Sequence, residues 1–306
     1  MTVIATGDLT AEMSTLYEKK FLKRAEYEYV HAQGAQLRDQ PANEGKSVNF
    51  TRHTPLAVAT TALTEGVNPS EVALTASTVT ATLGEYGNTV RISRFLSLTS
   101  IDRNNLEKIE VVGQNMGETL DTLARNELFT GATVQLAVGN ATLTDIGASD
   151  VLTVYELQLA VRNLKKAKAM RYQSKIAPWM GKVGPDTSFD LQRDSTFVNA
   201  DVYDNGAEKI YTGELGKISG ARLLETANQK SESSTATVFS NFIHGDQAFG
   251  SMNLEGDKPQ MYIIPHTKID SGNPAGRFSM ISWAGSYVCK TLNALWIRNI
   301  KTGASA

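Results

Sequence analysis

One continuous stretch, residues 46–129, constrains the fold more than any other part of this chain. A Thr- and Val-rich extended pattern over residues 46–93 runs straight into a long amphipathic helix. The extended part starts at Lys46-Ser-Val-Asn-Phe50, rises through Pro55-Leu-Ala-Val58 and turns at Glu65-Gly-Val-Asn-Pro-Ser-Glu71. It then descends through Val79, Ala81, Leu83, Val90 and Ile92. These alternate with Thr80, Thr82, Arg91 and Ser93, the period-two signature of a half-exposed strand. Gly66, Asn68 and Pro69 supply turn chemistry at the tip. A two-stranded arm of this length buries little of itself and is marginal alone in water. It is expected to lie against another body, and a neighbouring subunit is the natural one.

The helix is predicted from about Asp102 to Phe129, with Asp102 as its N-cap and Gly131 placed to end it. Leu106, Ile109, Val112, Met116, Leu120, Leu123 and Leu128 line one face. Such a helix spans roughly 40 Å, about the width of a domain, and acts as a strut. Gly113 and Gly117 either weaken it or mark where another backbone approaches closely. Upstream, residues 8–30 predict a second amphipathic helix, capped by Asp8 or Thr10, with Met13, Leu16, Tyr17, Phe21 and Ala25 at helical spacing. Its Lys19, Lys20, Lys23 and Arg24 are offset by Glu18, Glu26 and Glu28, and read as a solvated face. A third helix is expected over Val154–Tyr172, with Leu157, Val161 and Leu164 on one side and Arg162, Lys165 and Lys166 on another. That basic cluster suits either phosphates or the negative end of its own helix, and the second reading is the stronger. From residue 210 onward the pattern shortens into strands, including 213–220, 222–226, 261–264, 278–283 and a closing strand over 292–300. Residues 228–236 read as an exposed polar loop.

Chemistry-bearing constellations are missing. His31, His53, His244 and His266 have no partner at helical ligand spacing, and no Cys/His pattern fits zinc. Neither a nucleophile elbow nor a phosphate-binding loop of known spacing occurs. Gly213, Gly216 and Gly220 have the wrong spacing for a dinucleotide fingerprint, and strand rather than helix follows them. Asn49-Phe-Thr51 and Asn140-Ala-Thr142 match the glycosylation sequon by chance, and Asp186, Asp190 and Asp194 read as an acidic loop rather than a metal cluster. No catalytic, metal or cofactor site is expected, and an enzyme is not the expected class. A net charge of −2 over 306 residues gives no basic surface for nonspecific nucleic-acid binding. No apolar run approaches the roughly 20 residues a membrane span needs, and the N-terminus lacks the features of a secretory signal. The single cysteine, Cys289, excludes an intrachain disulfide and reads as a plain buried thiol, which suits folding in a reducing cytoplasm.

The order of arm, hairpin, strut helix and mixed α/β remainder resembles the major capsid proteins of tailed bacteriophages, the Hong Kong ninety-seven type fold. Particular segments look like the capsid family typified by the N-four-like podoviruses. They are Leu63-Thr-Glu-Gly66, Leu83-Gly-Glu-Tyr-Gly87 with Val90-Arg-Ile92, and Gly213-Glu-Leu-Gly216. Gly220-Ala-Arg-Leu-Leu-Glu-Thr226, His244-Gly-Asp-Gln-Ala-Phe-Gly250, and Asn273-Pro-Ala-Gly-Arg277 through Trp283 to Leu292-Asn293 follow in order. The resemblance implies an α+β fold divided into an N-terminal arm at 1–44, an extended hairpin loop at 45–95 and a peripheral domain with the spine helix at 96–150. Residues 151–306 would be mostly axial domain, with some return to the periphery.

The function implied is that of a major capsid protein. It would self-assemble into hexamers and pentamers of an icosahedral shell around double-stranded DNA, without sequence-specific DNA binding. The extended loop would lie over an adjacent subunit. A portal protein, and scaffolding or decoration proteins, would be further partners, with no membrane and no cofactor. The location implied is the virion, with assembly in the host bacterial cytoplasm. Glu65, Glu71, Arg91 and Arg94 are the expected intersubunit contacts, and Gly45, Gly84 and Gly87 the expected hinge. Some relatives weld their shells through a loop lysine, but no lysine lies between Lys46 and Lys108 here, so non-covalent contacts are expected. The N-terminal segment is also short for the scaffolding domain that some relatives carry. The alternative is an encapsulin-type nanocompartment shell of the same fold, whose cargo pocket would use the apolar face of residues 13–25.

Overall fold

In a computed structural model, the structure describes residues 18–25, 29–54, 56–99, 105–173, 177–197, 214–269 and 272–305. Several expected features lie outside these residues: the caps at Asp8, Thr10 and Asp102, the apolar positions Met13, Leu16 and Tyr17, the rise at Pro55, and Gly213.

Among the described residues, two large β-sheets, each covered by helices, hold the two main cores, and a two-stranded sheet packs on a third, smaller cluster. The first sheet is organised by β13 (Phe278–Thr291), fourteen residues long. Ile281, Trp283, Tyr287 and Cys289 all point inward on it, the period-two alternation of a strand covered on one face. One edge of β13 pairs with β12 (Gln260–Ile264) and then with β11 (Phe249–Leu254), and β1 (Gln36–Gln40) adds in parallel beyond β11. The other edge takes β4 (Gly84–Ser93) over ten residue pairs. Across the inward face lies α3 (Asn105–Gly131), whose Ile109, Val112, Met116, Leu120, Ala124 and Leu128 are buried in the same cluster as Trp283 and Tyr287. Each large side chain buried in this way contributes about 1.5–3 kcal/mol before entropy is counted.

The second sheet runs in the order β5 (Thr133–Leu136), β14 (Ile297–Thr302), β10 (Thr237–His244), β6 (Trp179–Val183), β8 (Ala221–Glu225), β7 (Glu214–Ile218), with β9 (Ser231–Ser233) on β10. Its core is closed by α4 (Val154–Lys166) and α5 (Pro185–Arg193), through Leu157, Val161, Leu164 and Leu191. The chain crosses between the two sheets repeatedly. β11, β12 and β13 belong to the first sheet, although they lie between β10 and β14 of the second in sequence.

Four expectations are corrected. The descending limb does not run as one strand from Val79 to Ile92: β3 (Ala76–Thr82) pairs with β2 (Ser47–His53), whereas Val90 and Ile92 belong to β4 and pair with β13. The helix at 154 stops at Lys166 rather than at Tyr172. There the Ala169 N–H reaches back to the Leu164 carbonyl and the Lys168 N–H to that of Lys165, with Lys168 at φ 51°, the geometry of a Schellman stop. The closing strand starts only at Ile297, because the Asn293 side chain accepts from the Leu295 N–H and forms a short turn. Asp186 and Asp190 lie on α5 rather than in a loop. Asp190 receives the Ser305 N–H, while Asp194 beyond the helix end receives the Val154 N–H that opens α4.

Candidate functional site

Two features stand apart from ordinary packing: an exposed arm and a buried polar anchor. The arm grows from the β2–β3 pair, whose Val48, Phe50 and Ala81 are buried against Met252 of β11. Beyond His53 and before Ala76 the described backbone forms neither strand nor helix. A Thr64–Val67 turn marks its tip. Every described residue from 54 to 75 is exposed, including Leu56, Val58, Leu63, Val67, Val72 and Leu74, with Val58 at 80%. Short α2 (Arg94–Thr99) adds exposed Phe95, Leu96 and Leu98. Apolar side chains concentrated on a segment without a core of its own are an interaction surface.

Glu65 and Glu71 lie on this arm, exposed and without an ion pair among the described residues. Arg91 stands on β4 with its guanidinium 5.2 Å from the centre of the Phe278 ring. Arg94 opens α2, its backbone N–H donating to the Arg277 carbonyl at 2.7 Å. The arm therefore holds the two glutamates and the first sheet's edge the two arginines, and one copy does not bring them together. Gly45 sits at φ 94° with open space around it. Gly84 and Gly87 lie inside the β4–β13 ladder, opposite Tyr287 and Ala284. A Cβ at Gly87 would stand 2.7 Å from the Trp283 carbonyl oxygen.

The polar anchor fastens residues 29–35 to both cores. Asp121 faces inward from α3, fully buried, and accepts four hydrogen bonds. Its Oδ1 takes the backbone N–H groups of Val30 at 2.8 Å and His31 at 2.5 Å. The other oxygen, Oδ2, takes His31 Nδ1 at 2.7 Å and Asn228 Nδ2 at 2.9 Å. Burial acts to raise the Asp121 pKa, but these bonds and the neighbouring imidazole outweigh it and hold the carboxyl below its ordinary value. Burial pushes His31 down despite the opposing carboxylate, so a neutral ring donates from Nδ1.

From the opposite side Lys182 of β6, also buried, donates its ammonium to the His31 carbonyl and, at 2.9 Å, to that of Gln33. It thus does for this turn what a bound cation does for a carbonyl cage. Desolvation lowers its pKa to about 7, against the pull of Asp121. Tyr172 closes the same turn by donating to the Gly34 carbonyl at 2.5 Å, and contacts buried His244 Nδ1 at 3.1 Å. The His31–Asp121 pair is buried, and its bonds to the 29–35 turn, Asn228 and Lys182 fix that turn in place. No His, Cys, Asp or Glu cluster able to hold a metal ion occurs among the described residues. Cys289 is buried on β13, and burial pushes its thiol up to about 12.

Sequence reasoning missed this anchor. Two weak signals existed: Lys182 is a lone charge in the apolar strand Trp179-Met-Gly-Lys-Val183, and Asp121 interrupts the apolar face of α3.

No protein-family model matches the chain, and no curated protein matches it either. Solved structures do match. The capsid of Ralstonia phage GP4 superposes with a TM-score of 0.73 at 14% identity, covering 100% of this chain and 99% of that one. The capsid of cyanophage P-SCSP1u gives 0.65 at 12%, covering 91% and 89%. A virus-like particle from Pyrococcus furiosus gives 0.56 at 8%, covering 94% and 98%. The chain has the α+β fold of tailed-phage capsid subunits, the Hong Kong ninety-seven type.

Proposed function

We propose that this protein is a major capsid protein whose copies close into hexamers and pentamers of an icosahedral shell around double-stranded DNA. One observation carries the reading: every described residue of 54–75 is exposed, apolar side chains included, and none joins a core cluster of the described residues. A soluble protein keeps such a segment when a second copy covers it. The fold likeness supports the same reading, because it extends over essentially the whole chain. In this reading residues 1–44 are the N-terminal arm, 45–95 the extended loop, 96–150 the spine-bearing peripheral part and 151–306 mostly the axial part. Gly45 is the favoured hinge, since its positive φ and open surroundings leave the arm base free to swing. Portal and scaffolding or decoration proteins would complete the particle, which would assemble in a bacterial cytoplasm. No enzymatic role enters it.

Expressing the chain alone and imaging it by negative-stain electron microscopy tests the proposal. Closed shells, or rings of five and six, are expected. A monomer that stays monomeric at high concentration, with and without a co-expressed scaffolding protein, would count against it. An encapsulin-type nanocompartment shell of the same fold is the second reading. The contents of particles from the native source, DNA or a protein cargo, separate the two.

A further inference from the structure

At the base of the arm, β1, β2 and the 292–296 turn enclose a cleft of about 500 Å³. Its charged lining is of one sign. Arg38 and Arg52 face it, and no aspartate or glutamate lines it. Both guanidiniums are held in place by aromatic rings, Arg38 at 5.7 Å from the centre of Phe50 and Arg52 at 5.0 Å from that of Trp296. Arg38 also donates to the Asn49 carbonyl at 3.2 Å. Neither arginine has a carboxylate partner among the described residues. The arm has the opposite character. Residues 54–90 contain Glu65, Glu71 and Glu85 and no lysine or arginine.

We infer that the cleft of one copy receives the acidic arm tip of a neighbouring copy, with Glu65 and Glu71 pairing to Arg38 and Arg52. This rests on the shell-subunit reading. It departs from the expectation that Arg91 and Arg94 take those glutamates. Two arguments select a second copy as the occupant. The first is charge: an unpaired cationic cleft and an unpaired anionic tip occur on the same chain. The second is reach. An extended limb of about eleven residues carries the tip roughly 35 Å from its root, and the cleft lies at that root. A contact from tip to base between successive copies is heterologous, as a closing ring requires.

Charge reversal tests the pairing. Glu65→Arg with Glu71→Arg, or Arg38→Glu with Arg52→Glu, should raise the concentration needed for shell formation by about tenfold or more. The fourfold variant should restore it. A mixture of the two doubly reversed chains should also restore rings, because each supplies what the other lacks. All four chains should melt at the same temperature, which excludes misfolding. Normal shells from either doubly reversed chain overturn the inference while leaving the shell reading intact, whether or not the cleft-reversed shells hold less DNA. Rescue by the fourfold chain without rescue in the mixture places the contact within one copy and also overturns it. Failure of the unaltered chain to form shells under any condition sinks both readings together.

Discussion

Four hydrogen bonds converge on the Asp121 carboxylate, and three of them hold the turn that carries His31. Asp121→Ala would leave the Val30 and His31 N–H groups and the His31 imidazole without their acceptor, while Asn228 keeps its bond to the Thr122 hydroxyl. We expect a loss of about 3 kcal/mol, read by denaturant unfolding, together with lost exchange protection at the Val30 and His31 amides. Unchanged protection would mean that the turn is held by other means. Lys182 gives a signed pH dependence. Its folded pKa is about 7 against 10.5 for an ordinary lysine, so between those values the unfolded chain holds the extra proton. Below about 7 both states are charged, and the cost of burying the ammonium is fully present. Stability therefore rises with pH across the window, by at most about 1.4 kcal/mol per unit. Lys182→Met should remove this rise, and the difference between wild type and variant at pH 7, 8 and 9 measures it. Neither residue announced its partner in the sequence, since His31 lies 90 positions from Asp121 and 151 from Lys182.

Among the elements, α3 was legible because Ile109, Val112, Met116, Leu120, Leu123 and Leu128 recur at three to five residues over many turns. Its two internal glycines left a choice open, and packing decides it. The helical residues 18–25, α1, cross α3 so closely that a Cβ at Gly113 would stand 2.7 Å from the Phe21 carbonyl oxygen. At Gly117 a Cβ would collide with the Ala25 carbonyl. Gly117→Ala therefore sets two effects against each other. Helix propensity gains about 1 kcal/mol. The displaced backbone costs roughly 1–3 kcal/mol, and neighbouring rigid main chain offers no side chain to yield. A net loss is expected, seen as faster proteolysis at 18–25; a variant more resistant than wild type would show that propensity wins. The hairpin was legible only in part. Strand β4 alternates as well as β3 does, and nothing local says that it pairs with β13, 185 residues further along between Ser93 and Phe278.

On the scale of the whole molecule, the arm should be separable from the fold. Replacing residues 56–74 with a short Gly/Ser turn removes exposed surface and no buried core residue. We expect an unchanged melting temperature and a monomer by sedimentation, because standard interfaces bury well over a thousand Å² and the arm would supply much of that area. Shells from the truncated chain would show that assembly rests elsewhere. By itself the sequence determined the long helix, the presence of an unsupported extended arm, the shift to short strands after residue 210 and the absence of recognisable catalytic spacing. Each of these is written in local periodicity or composition, which short-range geometry translates directly. Only the tertiary structure decided which strands share a sheet, why Gly113 and Gly117 lack side chains, how a buried Asp–His–Lys anchor fastens residues 29–35, and that two arginines meet at one cleft. Those depend on pairs brought together from distant positions, and a residue's chemistry does not say what the fold will place beside it.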